Sequence, residues 1–355
     1  VFGGTTMMRM LHHIAILSIG AILIGGSARA QTMPELYEKA KAEKELIIYG
    51  GGPTSLYEVP ARAFEAKYPG IKVTVHSGFS NVHDEKINQQ LKTKTLDADL
   101  AILQTVQDFI RWKKEGVLAR FRPPAWDAID KSFKDKDGDY VGVFVTSVSY
   151  AYNKDLVKPS EAPKSARDFL KAEFKGKMVS CYPHDDDITL YLFYTLVDHY
   201  GWDWMNKYIA HGAQFIQGHL GVSRGLASGE YSVSVDSNPN LSLREQRAGK
   251  PVEISFSKID PTPVWAQTAA TFKDSPHPNA ARLFLSWFLE KEQQSKLDTW
   301  SPRKDVPPPA GLPPLFSLKL ANNYPAFMSD TKKITDLRKR FETLTGPVQK
   351  KGGVR

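Results

Sequence analysis

The chain holds a single cysteine, Cys181, among 355 residues. No intramolecular disulfide can form, so a protein of this length must rely on burial rather than on covalent staples. Two motifs that announce common enzyme classes are also missing. No G-K-[ST] follows "GGGPTS" (residues 50–55), which excludes a P-loop, and no H-E-x-x-H zinc helix occurs. Cys181 has no obvious partner, and His199 lies in an apolar-faced helix where a packed imidazole is the plain reading. Repeats and low-complexity tracts are absent, and no basic stripe with interleaved aromatics suggests nucleic acid.

Long apolar runs are scarce. The one from Ile14 to Ile24 is too short for the roughly 20 residues of a spanning helix. With Arg9 before it and Ala28 and Ala30 around Arg29, it reads as a secretory signal with an A-x-A site, so the mature chain is expected to begin near Gln31 and to be exported. The net charge of +8 is similarly local. Residues 331–355 carry eight basic and two acidic residues, so the basic character belongs to a solvated tail and the globular part is balanced. The length remaining after export predicts two domains.

What is present is alternation. "LIIYG" reads as a buried strand, "YEVPARAFEAKYPG" as a helix with a Pro-Gly stop, and "IKVTVHSG" as an alternating strand. "NVHDEKINQQLKTKTL" predicts a helix, "ADLAIL" a strand, and "TVQDFIRWKKEG" a helix closed by Gly116. This rhythm predicts a parallel sheet covered by helices. The long β-rich stretch Tyr140–Asn153 is suited to leaving one body and entering another. A second set follows: "SARDFLKAEF" helix, "KMVSCY" strand, "ITLYLFYTLVDHYG" helix, "AQFIQG" strand, "SRGLASGE" short helix and "YSVSV" strand. "PVEISFSKI" and "TPVWAQTAATF" read as strands, and "HPNAARLFLSWFLEKEQQSKL" as one amphipathic helix with Pro278 near its start. Proline-rich "VPPPAGLPPL" precedes one or two terminal helices.

The blocks "LIIYGGG", "AFEAKYPGIKVTV", "SYAYNKDLV" and "HPNAARLFLSWFLEKEQQ", followed by "SPRKDV", resemble a periplasmic solute-binding protein of a bacterial ABC importer, in the branch with ferric-iron, thiamine and phosphonate binders. The resemblance implies a type II fold: two α/β lobes joined by crossing hinge strands, with the ligand between them. Lobe one would take residues 31–140 and 255–305, lobe two 141–254, and 306–355 would form a linker and helices packing on lobe two. The chain would cross between Asp97 and Ser149 and return near Val252–Asp260. It also implies a monomer without catalysis or cofactor, which captures a small polar or anionic solute and delivers it to a membrane permease. An exported hydrolase is the alternative of another class.

Ligands of open α/β sheets sit beyond the carboxyl ends of the strands. That rule selects Gly52, Thr54 and Ser55, then Ser80 and Asn81, then Gln104; in the second set it selects Thr146, Ser147, Asp186, Ser223, Arg224, Ser237 and Asn238. The glycines would bring backbone close to a solute. Ser55 and Glu58 also fit a capping box, and Pro60 interrupts a helix begun at Leu56. Arg224 offers a planar fork to paired oxygens, and Arg303 does so less directly. In "YPHDDD", Asp187 fits a helix N-cap better than the aspartates fit a metal. Ferric binders of the family use adjacent tyrosines where Ser237 and Asn238 stand here, so bare iron would need Tyr150, Tyr152 or Tyr182 instead. No metal site is expected.

Overall fold

The computed structural model describes residues 1–3, 32–321 and 323–349. Residues 1–3 and Thr32 lie outside any helix or strand, and the anticipated export signal falls on residues 4–31, outside the described residues. No described helix is long and apolar enough to cross a membrane.

From Met33 the chain alternates as its periodicity predicts. The first run comprises α1 (Met33–Glu43), β1 (Glu45–Gly51), α2 (Ser55–Lys67), β2 (Lys72–Gly78), α3 (Ser80–Thr93), β3 (Leu100–Leu103), α4 (Val106–Glu115) and β4 (Leu118–Ala119). Gly116 ends α4 in the left-handed region (φ +73°), as its position foretold. The stretch after Tyr140 divides at Val148 into β5 (Val141–Ser147) and β6 (Ser149–Asn153). Next come β7 (Met178–Cys181), α5 (Asp187–Ala210), β8 (Gln214–Ile216), α6 (His219–Ser228), β9 (Val233–Ser237), α7 (Pro239–Arg247) and β10 (Val252–Ser255). The last elements are β11 (Thr262–Phe272), α8 (Pro278–Phe288), α9 (Lys291–Gln294), β12 (Leu320–Ala321), α10 (Tyr324–Ser329) and α11 (Thr331–Thr345).

Two sheets result. The first has the order β12-β11-β3-β1-β2, with β4 and β5 also paired to β11; the second has the order β10-β6-β9-β7-β8. β1 is parallel to β2 and β3, and β7 is parallel to β8 and β9, whereas β5 and β6 run antiparallel to their partners. The chain passes from the first sheet to the second at Val148 and returns between β10 and β11. Because β5 pairs with β11 from Ala269↔Val141 to Val264↔Ser147, residues 141–147 belong with the first sheet, not with the second body to which 141–254 were assigned. α11 packs on α5 through Phe341, which is fully buried 6.1 Å from the Phe193 ring.

Four helices differ from expectation. "SARDFLKAEF" forms two single 3₁₀ turns, because Asp168 turns back to accept the N–H groups of Lys164 and Ser165, and Lys171 is extended. The helix begun at Pro278 breaks at Glu290, where Gln294 Nε2 takes the Phe288 carbonyl and Arg303 takes the Leu289 carbonyl. α5 continues past Gly201, which bends it with φ +79°. Pro60 sits inside α2, which runs through it to Lys67.

Candidate functional site

The carboxyl edge of the first sheet gathers Gly52, Thr54, Ser55, Ser80, Asn81 and Gln104. Its glycines serve two different needs. A Cβ on Gly50 would lie 2.5 Å from the ring of Tyr57, and one on Gly51 would lie 2.1 Å from Ser80 Oγ. Both positions are therefore covered by side chains of the protein and offer no backbone to a solute. Gly52 is exposed and holds φ +109°, a conformation that favours glycine. Beneath them the Tyr57 hydroxyl donates to the Gly51 carbonyl at 2.6 Å, and Gln267 Nε2 reaches the same oxygen at 2.8 Å. Burial pushes the Tyr57 phenol well above its usual range, so it stays a donor.

Exposed polar groups stand around this pillar. Thr54 Oγ1 meets Ser77 Oγ at 2.5 Å, Ser80 Oγ accepts from the Gln104 amide at 3.1 Å, and Ser55 and Asn81 reach solvent. The capping box expected from Ser55 and Glu58 does not form; Thr54 stands at the N-cap in helical conformation, without a side-chain bond to the helix. Leu56, Val59, Phe79 and Val82 are exposed on the same two helix starts.

Among the second group of expected contacts, several are engaged in holding the fold. Asp186, not Asp187, caps α5 by accepting from the amides of Ile188 and Thr189, while Asp187 pairs with Arg338. Asn238 caps α7, and Ser237 Oγ bonds Ser242 Oγ at 2.9 Å, both fully buried. Ser147 donates to the Pro263 carbonyl at 2.7 Å. Tyr150 donates to Asp260, and burial followed by that carboxylate pushes its phenol well above the usual range, which does not suit a ferric phenolate. Thr146 and Ser223 are buried with hydroxyls that find no partner. Arg224 alone among these candidates is a charged side chain facing solvent without an ion pair among the described residues. Arg303 is committed, its fork bound to Asp305 at 2.8 Å on both nitrogens, Nε and Nη2.

The segments that cross between the sheets leave only about 10 Å³ among Tyr150, Leu192, Val235, Phe256 and Asp260, room for about one water. A larger pocket of about 280 Å³ is lined by Met33, Pro124, Ala128, Glu290 and Arg303, none of which stands at a strand's carboxyl end. Two clusters were not legible beforehand. Asp135, Asp137 and Asp139 surround the Lys113 ammonium at 2.6, 2.7 and 3.4 Å, so that group of carboxylates already holds its cation.

Cys181 does have partners: His219 and Asp236 converge on it. Burial opposes charge on His219, but Cys181 and Asp236 outweigh it and hold its pKa well above the usual value; because the thiol is protonated, the carboxylate is the cause we assign. Asp236 is correspondingly low despite its burial, whereas burial pushes the Cys181 thiol up to about 12. Such a thiol is no nucleophile at neutral pH.

Two α/β bodies linked by crossing strands have the architecture of the type II periplasmic binding protein fold. The chain belongs to the bacterial extracellular solute-binding protein family, whose model matches residues 61–328. A probable ABC transporter periplasmic-binding protein of Sinorhizobium fredii is 23% identical over 238 residues, and the match spans 64% of each chain, just under two thirds of that relative. Among solved structures, iron-bound HitA from Pseudomonas aeruginosa superposes with TM-score 0.71 at 19% identity, covering 84% of this chain and 99% of its own. AfuA from Actinobacillus pleuropneumoniae, solved with fructose-6-phosphate, gives 0.70 at 19% identity, covering 85% and 98%. At these identities the superpositions establish the fold.

Proposed function

We propose that the protein is a periplasmic receptor that takes up a small polar or anionic solute between two lobes and presents it to the permease of an ABC importer. Lobe one would comprise the first sheet and its helices, and lobe two the second sheet. The observation that carries this reading is the edge of the first sheet. Gly52, Thr54, Ser55, Ser80, Asn81 and Gln104 sit together there on a Tyr57–Gln267 support, and the start of α3, where His83 is the first amide bonded back into the helix, favours an anionic group. Arg224 supplies the guanidinium of the second lobe. Thr146, Ser147, Tyr150, Asp186, Ser237 and Asn238 leave the contact set because packing, capping or burial accounts for them, and so does buried Ser223.

The test is a thermal-shift screen of organic acids, phosphonates, sugar phosphates and ferric complexes. A solute at 100 times its Kd stabilises by about 2.7 kcal/mol, and Thr54→Ala with Ser55→Ala or Arg224→Ala should weaken the shift. Failure of every compound to raise Tm, or hydrolysis of ester or phosphate panels by pure protein, overturns the reading.

A further inference from the structure

We propose that Cys181, His219 and Asp236 form a binding site for zinc(II). The site stands on its own geometry and is independent of the solute proposed above. β7 and β9 pair in parallel with Met178↔Val233, so Cys181 and Asp236 each lie three residues further along the same register. Equal steps along paired strands place both side chains on one face of the sheet. α6 covers that face, and His219 is its first residue. The ligand atoms of the three side chains, one from each, lie within 4.8 Å of one another.

The Asp236 carboxylate is oriented by its neighbours. Asp236 Oδ2 accepts from Thr189 Oγ1 at 3.0 Å, Ser180 Oγ at 3.1 Å and the Cys181 amide at 3.0 Å, which leaves Oδ1 directed to His219 Nε2 at 2.9 Å. Such outer partners orient metal ligands and are worth about 10–100-fold in affinity. Asp236 is completely buried and Cys181 is 1% exposed, while the His219 side chain keeps 11% exposure, an entry path for an ion.

Sulfur, imidazole nitrogen and carboxylate oxygen together form the mixed donor set that borderline-soft zinc accepts. With bonds of about 2.0–2.3 Å, tetrahedral ligands stand roughly 3.3–3.6 Å apart. The His219–Asp236 contact must therefore open by only a few tenths of an ångström, and the sulfur must close by little more than 1 Å at most. Binding exchanges the thiol proton and one imidazolium proton for the ion, and both protons go to water. Three protein ligands leave a fourth position. One turn along α6 from His219, the fully buried Ser223 hydroxyl has no partner.

Chelator-treated full-length protein is titrated with cobalt(II) as the spectroscopic stand-in for zinc. The expected result is one equivalent bound with a near-ultraviolet thiolate-to-cobalt band and tetrahedral visible bands, all displaced by zinc. Because the chain has one cysteine, Cys181→Ser must abolish the thiolate band, His219→Gln must weaken binding at least tenfold, and Thr189→Val should weaken it about 10–100-fold. Far-UV circular dichroism shows which variants fold, and Thr189→Val, which alters no ligand, serves if His219→Gln does not. Absence of the thiolate band in folded wild-type protein overturns the site, as does cobalt binding unchanged in His219→Gln and Thr189→Val. Solute-induced thermal shifts in the same variants are expected to persist, so loss of the metal site and loss of the receptor reading give different signatures.

Discussion

Asp260 should be a costly charge to remove from this protein. It lies on the segment that returns from β10 to β11, is 1% exposed, and accepts from Tyr150, Tyr200, the Ala166 amide at 2.7 Å and Ser257 Oγ at 3.3 Å. Asp260→Asn keeps the shape and removes the charge. Hydrogen bonds to a charged group contribute about 1.5–3 kcal/mol each, against about 0.5–1.5 for neutral pairs. The three close bonds thus lose about 1 kcal/mol apiece, or about 3 kcal/mol in all. At about 2.1 cal/mol/K per residue over roughly 320 residues, that lowers Tm by about 4–5 °C. The assay is urea unfolding followed by tryptophan fluorescence, with Tyr150→Phe and Tyr200→Phe combined with Asp260→Asn in double-mutant cycles. A loss under about 1 kcal/mol, or strict additivity in the cycles, refutes the argument that one carboxylate organises the cluster.

Other outcomes follow from single contacts. Gly50→Ala drives a methyl into the buried Tyr57 ring and should cost about 3 kcal/mol in chemical unfolding, whatever happens to solute binding. Gly51→Ala meets the more mobile Ser80 hydroxyl, so Ser80→Ala should recover part of its loss in a double-mutant cycle, and an additive result would contradict the 2.1 Å contact. Burial pushes the Asp108 carboxyl up to about 6, only partly offset by Thr105 and Arg111. The folded state then holds that proton more tightly than the unfolded chain, so this residue lowers stability as pH rises from about 4 to about 6. Asp108→Asn should stabilise by about 1–3 kcal/mol at pH 7 and by nothing at pH 3.5, measured by urea unfolding at both values. Lys113→Met should lower Tm by leaving Asp135, Asp137 and Asp139 facing one another, and an unchanged Tm would show these charges to be screened.

Much of the fold was legible because it is written in local periodicity. The first run of strands and helices, the Gly116 stop and a passage between bodies within Tyr140–Asn153 all follow from spacing and turn chemistry within short windows. The break at Glu290 was not legible, since its cause is a pair of side chains, Gln294 and Arg303, that take carbonyls a helix would otherwise use. The site was read less well for the same reason. Polar residues near strand ends look alike in sequence whether they cap a helix, as Asp186 and Asn238 do, or face solvent, as Ser55 and Asn81 do. The glycines could not be assigned without knowing that Tyr57 folds back beneath them. Cys181 and Asp236 are 55 residues apart and meet only through strand pairing, so no motif announces them.

The two crossings between the sheets are tied to each other on both sides. Tyr150 is bonded to Asp260 toward the second sheet, and Ser147 to the Pro263 carbonyl toward the first. A strap fastened at both ends bends as a leaf spring does: easily in one direction and stiffly in every other. Any relative movement of the two bodies would therefore have to bend both crossings together.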